Sequence, residues 1–270
     1  MKSFIKIVSA ALITALFAGN VFAGKVILEG STTVLPIAQR AAEEYMDANL
    51  SADITVRGGG SGVGINSLIS GTCDIANSSR EIKDSEIQAA ASKGKSPKAF
   101  VIAMDGIAVI VNPKNPVSAL SKKQISDIYT GKITNWSQAG GNDEKIVVIS
   151  RDSASGTFES FSELALNKQK VISSALMQAS NQTIATTVSN TKGAIGYVGI
   201  GYVSDSVKSV PIDGVTANKI NVLKGVYPYS RPLYMYSNGE PSGEVKKFID
   251  FLISSDGQAI VEQEGFIPVK

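Results

Sequence analysis

Apolar positions along this chain switch repeatedly between two periods. Val26-Ile27-Leu28, Ile54-Thr55-Val56 and Asp74-Ile75-Ala76 are short runs of the strand kind, and each is followed by helical spacing. That spacing predicts helices over residues 35–49, 63–70 and 84–93, the last capped by Asp84 or Ser85. Strand and helix in repetition is the pattern of βαβ units, which place helices on both faces of a mostly parallel sheet.

The stretch 103–112 differs. Ile107-Ala108-Val109-Ile110-Val111 is apolar throughout and is ended by Asn112-Pro113-Lys114-Asn115-Pro116, as a buried strand leaving the first unit would be. A second series follows: helix 121–129, strand 146–149, helices 157–165 and 171–177, and strand 194–198. Later, Tyr227-Pro228-Tyr229-Ser230-Arg231-Pro232-Leu233 is fixed in an extended form by its prolines, and an amphipathic helix covers 243–253. The chain therefore divides into two α/β lobes, with 103–112 and 226–236 as candidate crossings between them. Residues 24–106 together with 229–270 make the first lobe, and 107–228 the second.

Residues 1–23 fall outside this alternation. Lys2 and Lys6 precede the apolar stretch 7–17, and Val21-Phe22-Ala23 supplies small residues at a cleavage position. This is the layout of a secretory signal peptide, since the apolar run falls short of the ~20 residues a membrane span needs. An exported chain without stable membrane insertion is expected. Beyond it, basic and acidic residues are equal in number and no basic stripe appears, so a nucleic-acid partner has no support.

The chain has no histidine and one cysteine, Cys73. A Ser-His-Asp triad, a Cys-His pair and a His-ligated or structural zinc site are all excluded. Without a histidine base or a carboxylate cluster, the many Ser and Thr hydroxyls are not those of a hydrolase; neither an enzyme nor a metal site is expected. Cys73 has no disulfide partner and is expected to be buried.

The chemistry that remains is concentrated in three segments of one character. Glu29-Gly30-Ser31-Thr32-Thr33, Arg57-Gly58-Gly59-Gly60-Ser61-Gly62 and Arg151-Asp152-Ser153-Ala154-Ser155-Gly156-Thr157 each place Gly, Ser and Thr after a strand and before a helix. A helix N-terminus carries unpaired N–H groups and a partial positive charge, and an anion docked there accepts those bonds. Glycine admits close backbone approach and hydroxyls add donors. Each loop alone is also explained by ordinary capping; three in one chain favour convergence on an anion. Arg151 is the natural cation, with a planar fork that fits two oxyanion oxygens, and Asp152 or another nearby acid is expected to hold it. The nucleotide-phosphate loop lacks its lysine and the dinucleotide fingerprint has Val63 at its third glycine, so no nucleotide cofactor is implied.

At these residues the chain closely resembles the periplasmic phosphate-binding proteins of high-affinity ABC phosphate importers. The resemblance is carried, in order, by Gly30-Ser31-Thr32-Thr33, Gly58-Gly59-Gly60-Ser61-Gly62, Asp74-Ile75-Ala76-Asn77-Ser78-Ser79 and Asp105-Gly106-Ile107-Ala108-Val109. It continues through Ile128-Tyr129-Thr130-Gly131-Lys132-Ile133-Thr134-Asn135-Trp136, the Arg151–Thr157 segment and Gly193-Ala194-Ile195-Gly196-Tyr197.

The resemblance implies a two-lobed type II binding-protein fold with two hinge crossings. It implies a monomer in the periplasm that closes on phosphate and hands it to permease subunits, with no cofactor. Carried over one at a time, the ligand residues are Thr32, Thr33 through its backbone, Ser61, Ser79, Arg151, Ser155, Gly156 and Thr157. The family places an Asp, which accepts the proton of hydrogen phosphate, where this chain has Ser79. Asp105 is the substitute acceptor the sequence offers; a plain turn role for Asp105-Gly106 stands beside it. The same departure keeps sulfate, molybdate or tungstate open as alternative ligands. Arg80 pairs with an acid or meets the anion, and Trp136 is expected in the core rather than at the ligand.

Overall fold

The structure is a computed structural model and describes residues 24–269; the signal-peptide reading lies outside the described residues. In chain order the elements are β1 (Lys25–Gly30), α1 (Leu35–Ala48), β2 (Asp53–Gly58), α2 (Ser61–Ser70), β3 (Ile75–Ser78), α3 (Asp84–Ser92) and β4 (Pro97–Val111). Then come α4 (Lys122–Tyr129), β5 (Val147–Arg151), α5 (Gly156–Leu164), β6 (Leu176–Gln178), α6 (Asn181–Asn190), β7 (Ala194–Gly199) and β8 (Lys208–Ser209). The chain ends with α7 (Lys219–Leu223), β9 (Ser230–Asn238), α8 (Gly243–Ile253) and α9 (Ser255–Gln263).

The strands pair in the order β2-β1-β3-β9-β4-β7-β5-β6, with β8 on β4. β4 changes partner midway: Pro97–Gly106 pair with β9, and Ile107–Val111 pair with β7. That switch makes the molecule two-lobed. The outer pairs β1–β2, β1–β3, β5–β7 and β5–β6 are parallel, as βαβ crossovers require. The pairs built on β4 and β9 are antiparallel, because these two strands run between the lobes instead of closing a crossover.

Both faces of each half are covered, and side-chain alternation assigns the faces. In β4, Ile107, Val109 and Val111 enter one core cluster with Trp136, Phe161 and Tyr197, while Ala108 and Ile110 enter another with Ile184 and Val188. In β9, Leu233 and Met235 pack under α1, α8 and α9, while Tyr234 and Tyr236 face α2. Ile102 and Ala103 both fall in the cluster with Leu233, because a register shift lies between Val101 and Ala103. That bulge interrupts the alternation and hides the strand's true start at Pro97, a position where proline is tolerated.

The helix expected at 171–177 does not form. Ile172 N–H donates to the Tyr129 carbonyl at 2.8 Å, and Leu176–Gln178 become edge strand β6 on β5. Adjacent β-branched Val171 and Ile172 favour an extended backbone, and pairing with β5 decides the outcome. Helices α6 and α9 lie where the sequence reading placed none. Trp136 is core, with Nε1 donating to the Gly193 carbonyl at 2.8 Å. Cys73 is a buried free thiol, pushed up to about 12 by burial and nearby Glu29 and Asp74. Among the described residues no helix is long and apolar enough to cross a membrane.

Candidate functional site

The three Gly-Ser-Thr loops leave the carboxyl ends of β1, β2 and β5, and the sheet order brings them to one place. Each is shaped locally before it meets the others. Ser31 Oγ accepts from Thr33 N–H at 3.1 Å and opens the turn into α1. Gly30 has φ +138°, and a Cβ there would stand 2.2 Å from the Asn77 carbonyl oxygen, so only glycine fits where β1 passes β3. Ser155 caps α5: its Oγ accepts from Phe158 N–H at 3.1 Å and its carbonyl from Glu159 N–H at 3.2 Å. The N–H groups of Gly156 and Thr157, in the first turn, are left without helical partners and point out of the helix end.

The two lobes meet directly across these loops. Gly62 N–H donates to the Ala154 carbonyl at 3.0 Å, and Thr33 Oγ1 lies 2.8 Å from Thr157 Oγ1. Ser160 Oγ donates to the Ser79 carbonyl at 3.3 Å. Ser61 Oγ accepts from Ser79 N–H at 3.0 Å, which joins the second loop to the end of β3. Thr32, Thr33, Ser61, Ser79, Arg151, Ser155, Gly156 and Thr157 are all buried and gathered on this seam. The lobes are closed.

The charges are uneven. Arg151 is 1% exposed; Nε donates to the Gln178 carbonyl at 3.1 Å and Nη2 to that of Ala179 at 3.0 Å, while buried Nη1 has no partner. Asp152 does not hold this guanidinium as expected, since its Oδ1 accepts from Ala154 N–H at 2.9 Å. Burial lowers the Arg151 pKa, and neighbouring Arg231 acts in the same direction. Arg231 itself is buried and forks onto Asp105 Oδ2 through Nε at 2.9 Å and Nη2 at 2.8 Å. The Asp105 carboxylate is thus taken by Arg231, while the buried Arg151 guanidinium meets only carbonyl oxygens.

Asp105 is fully buried, and its carboxylate is engaged by this chain's own donors. Oδ2 takes both Arg231 bonds and Oδ1 accepts from Ile200 N–H at 2.9 Å. Burial pushes its carboxyl up, against the pull of the Arg231 charge. The carboxylate is thus the counter-ion of Arg231. Arg80 resolves as an ion-pair residue, with Glu86 at 2.7 Å and Glu159 at 2.9 Å.

Two residues of the seam escaped the sequence reading. Arg231 sat inside a segment read only as a hinge. Asn181 is the first residue of α6 and donates through Nδ2 to Thr32 Oγ1 at 3.1 Å and Thr33 Oγ1 at 3.0 Å. The signal for it was a fourth strand–polar–helix junction, Gln178-Ala179-Ser180-Asn181, masked by the helix expected at 171–177. Among the described residues no cluster of three or more His, Cys, Asp or Glu is placed to hold a metal.

A model of the PBP superfamily domain matches residues 20–256. The chain is 37% identical over 251 residues to the phosphate-binding protein PstS of Bacillus subtilis, covering 91% of this chain and 81% of that one. It is 33% identical over 257 residues to PstS of Borreliella burgdorferi, covering 91% and 90%. Among solved structures it is similar to a putative phosphate ABC transporter substrate-binding protein from Clostridium perfringens with bound phosphate. That match has a TM-score of 0.86 and 39% identity over 92% of this chain and 100% of the other. An ABC-type phosphate transport receptor from Vibrio cholerae has a TM-score of 0.74 and 36% identity, covering 90% and 99%.

Proposed function

The chain belongs to the PBP superfamily, among the phosphate-binding proteins of ABC transporters, and from this membership we propose how its seam captures inorganic phosphate. It is a binding protein rather than an enzyme, and it acts outside the cytoplasm in phosphate transport.

The observation that carries the site assignment is Arg151. A guanidinium held only by two carbonyls, with a third nitrogen buried and unpartnered, is stable chiefly with an anion against it. Phosphate meets Arg151 together with the free N–H groups of Gly156 and Thr157 and the hydroxyls of Thr32, Ser61, Ser79 and Ser155. The backbone N–H of Thr33 stays with Ser31 in the closed form, so the first loop acts through its side chains. Closure removes water, which strengthens each of these bonds to the dianion.

We place the lobe boundary at the β4 partner switch, with 24–106 and 229–270 in one lobe and 107–228 in the other. Opening is rotation about β4 and the segment before β9. The ligand is delivered to the permease subunits of an importer by a monomer released into the periplasm after cleavage of residues 1–23. The test is equilibrium titration of protein stripped of ligand with phosphate, in competition with sulfate, molybdate and tungstate. Tight phosphate binding abolished by Arg151→Gln is expected; tighter binding of a competitor would overturn the assignment.

A further inference from the structure

Arg231 lies on β9 opposite Asp105 in the β4–β9 ladder, at the floor of the seam. Beyond its fork onto Asp105, Nη1 donates to the Ser79 carbonyl at 3.0 Å. Nη2 also reaches Thr157 Oγ1 at 3.0 Å and Thr33 Oγ1 at 3.4 Å. One side chain therefore touches two loops of the first lobe and the start of α5 in the second. An ion pair serving only the hinge would need the contacts to Asp105 and nothing further.

The hydroxyl pair it meets has a definite proton inventory. Asn181 Oδ1 accepts from Gly199 N–H at 3.1 Å, which fixes the amide so that Nδ2 is the group donating to Thr33. Arginine has donors only, so Thr157 Oγ1 accepts from Arg231. Thr33 Oγ1 thus holds two N–H donors, Asn181 and more distantly Arg231, and Thr157 Oγ1 holds one, so the Thr33 hydroxyl proton bridges to Thr157 Oγ1 over 2.8 Å. The proton left over must point away from the pair, toward the seam.

We propose that Arg231 is a positioning residue for phosphate capture, turning the Thr33–Thr157 pair into a proton donor to the anion in the closed form. The proposal rests on the phosphate reading above. Without Arg231 the pair can reverse and present lone pairs to a dianion. Because Thr33 and Thr157 sit on different lobes, the arrangement exists only after closure, and its loss acts on dissociation.

The test compares wild type with the double variant Arg231→Gln/Asp105→Asn, which removes both charges and leaves no orphaned buried ion. Calorimetry with inorganic phosphate, stopped-flow dissociation and thermal unfolding without phosphate are measured on each. The expected result is an unfolding midpoint close to wild type and affinity weaker on the order of 100-fold, with the loss in the dissociation rate. Wild-type affinity and dissociation in the folded double variant would overturn the proposal. Should the double variant fail to fold, Arg231→Lys decides. It keeps the charge beside Asp105 but lacks the fork that reaches Ser79 and Thr157 together; roughly tenfold weaker binding is expected, and wild-type binding overturns the proposal. Wild type that itself ignores phosphate defeats the phosphate reading and this one with it; insensitive variants beside a binding wild type defeat only the role of Arg231.

Discussion

Gly156 stands so close to Ser61 across the seam that a Cβ on it would lie 2.3 Å from Ser61 Oγ. The same carbon would lie 2.8 Å from Ser79 Oγ. Both serines are held in place, since Ser79 N–H donates to Ser61 Oγ. The second lobe therefore closes on the first only because α5 begins without a side chain. Gly156→Ala keeps a helix start that any residue can form, so the open protein should be unaffected. Overpacking of about 1–3 kcal/mol in the closed form predicts phosphate binding weaker by about 5- to 150-fold. Calorimetry together with small-angle scattering checks this, and undiminished affinity with normal contraction would show that closure brings Gly156 elsewhere.

Arg151 carries the opposite balance. Its desolvated guanidinium, with Nη1 unpartnered, strains the protein without ligand and stabilises it once an anion arrives. Arg151→Gln should weaken phosphate binding by about 2–5 kcal/mol, while the unfolding free energy without phosphate falls by no more than about 1 kcal/mol. Denaturant melts with and without phosphate separate the two effects. A variant much less stable without ligand would make Arg151 a structural residue.

What was legible in the sequence was local. The helix starts after β1, β2 and β5 are built by residues adjacent in the chain, so Ser155-Gly156-Thr157 and Arg151 could be picked out without knowing the fold. The unbroken apolar run of β4 from Ile107 to Val111 likewise announced a strand buried on both faces. What failed was non-local. The ion pair of Asp105 could not be read, because its partner Arg231 lies far along the chain and nothing in Ser230-Arg231-Pro232 marks a salt bridge. Val171–Met177 had helical spacing, but pairing of Leu176–Gln178 with β5 is a tertiary decision. Once that segment was read as helix, Asn181 lost its place at a strand–helix junction.

Glu86 gives a pH test. Burial alone would raise its pKa, but the hydrogen bonds and charge of Arg80, with the Lys83 backbone, hold it below the ordinary 4.5. Its folded value lies below its unfolded value. The pair therefore contributes its full stability above about pH 4.5, and that contribution is lost as pH falls through the folded value. Glu86→Gln should be less stable than wild type at neutral pH, with the gap narrowing in acid. Urea melts from pH 7 downward would show it; a gap constant with pH would remove the ionised pair from the account.

Glu159 ties the lobes at the rim of the seam. It stands on α5 and pairs with Arg80 at 2.9 Å and Lys83 at 2.7 Å, both from the segment after β3 in the other lobe. Its side chain is 19% exposed, so the pairing is partly screened and modest in strength. Arg80 retains Glu86 when Glu159 is neutralised, so Glu159→Gln leaves no buried charge alone. The contact is made only when the lobes are closed, and its loss should therefore act on phosphate release rather than on capture. Dissociation about 2- to 5-fold faster is expected, with association unchanged. Salt supplies the internal control: raising ionic strength should speed release from wild type by screening this rim, and should do so less in the variant. Stopped-flow release into a phosphate trap measures both. Equal release rates and equal salt slopes in the two proteins would mean that the rim pair does not restrain opening, leaving the hydroxyl and guanidinium contacts beneath it to hold the lobes together.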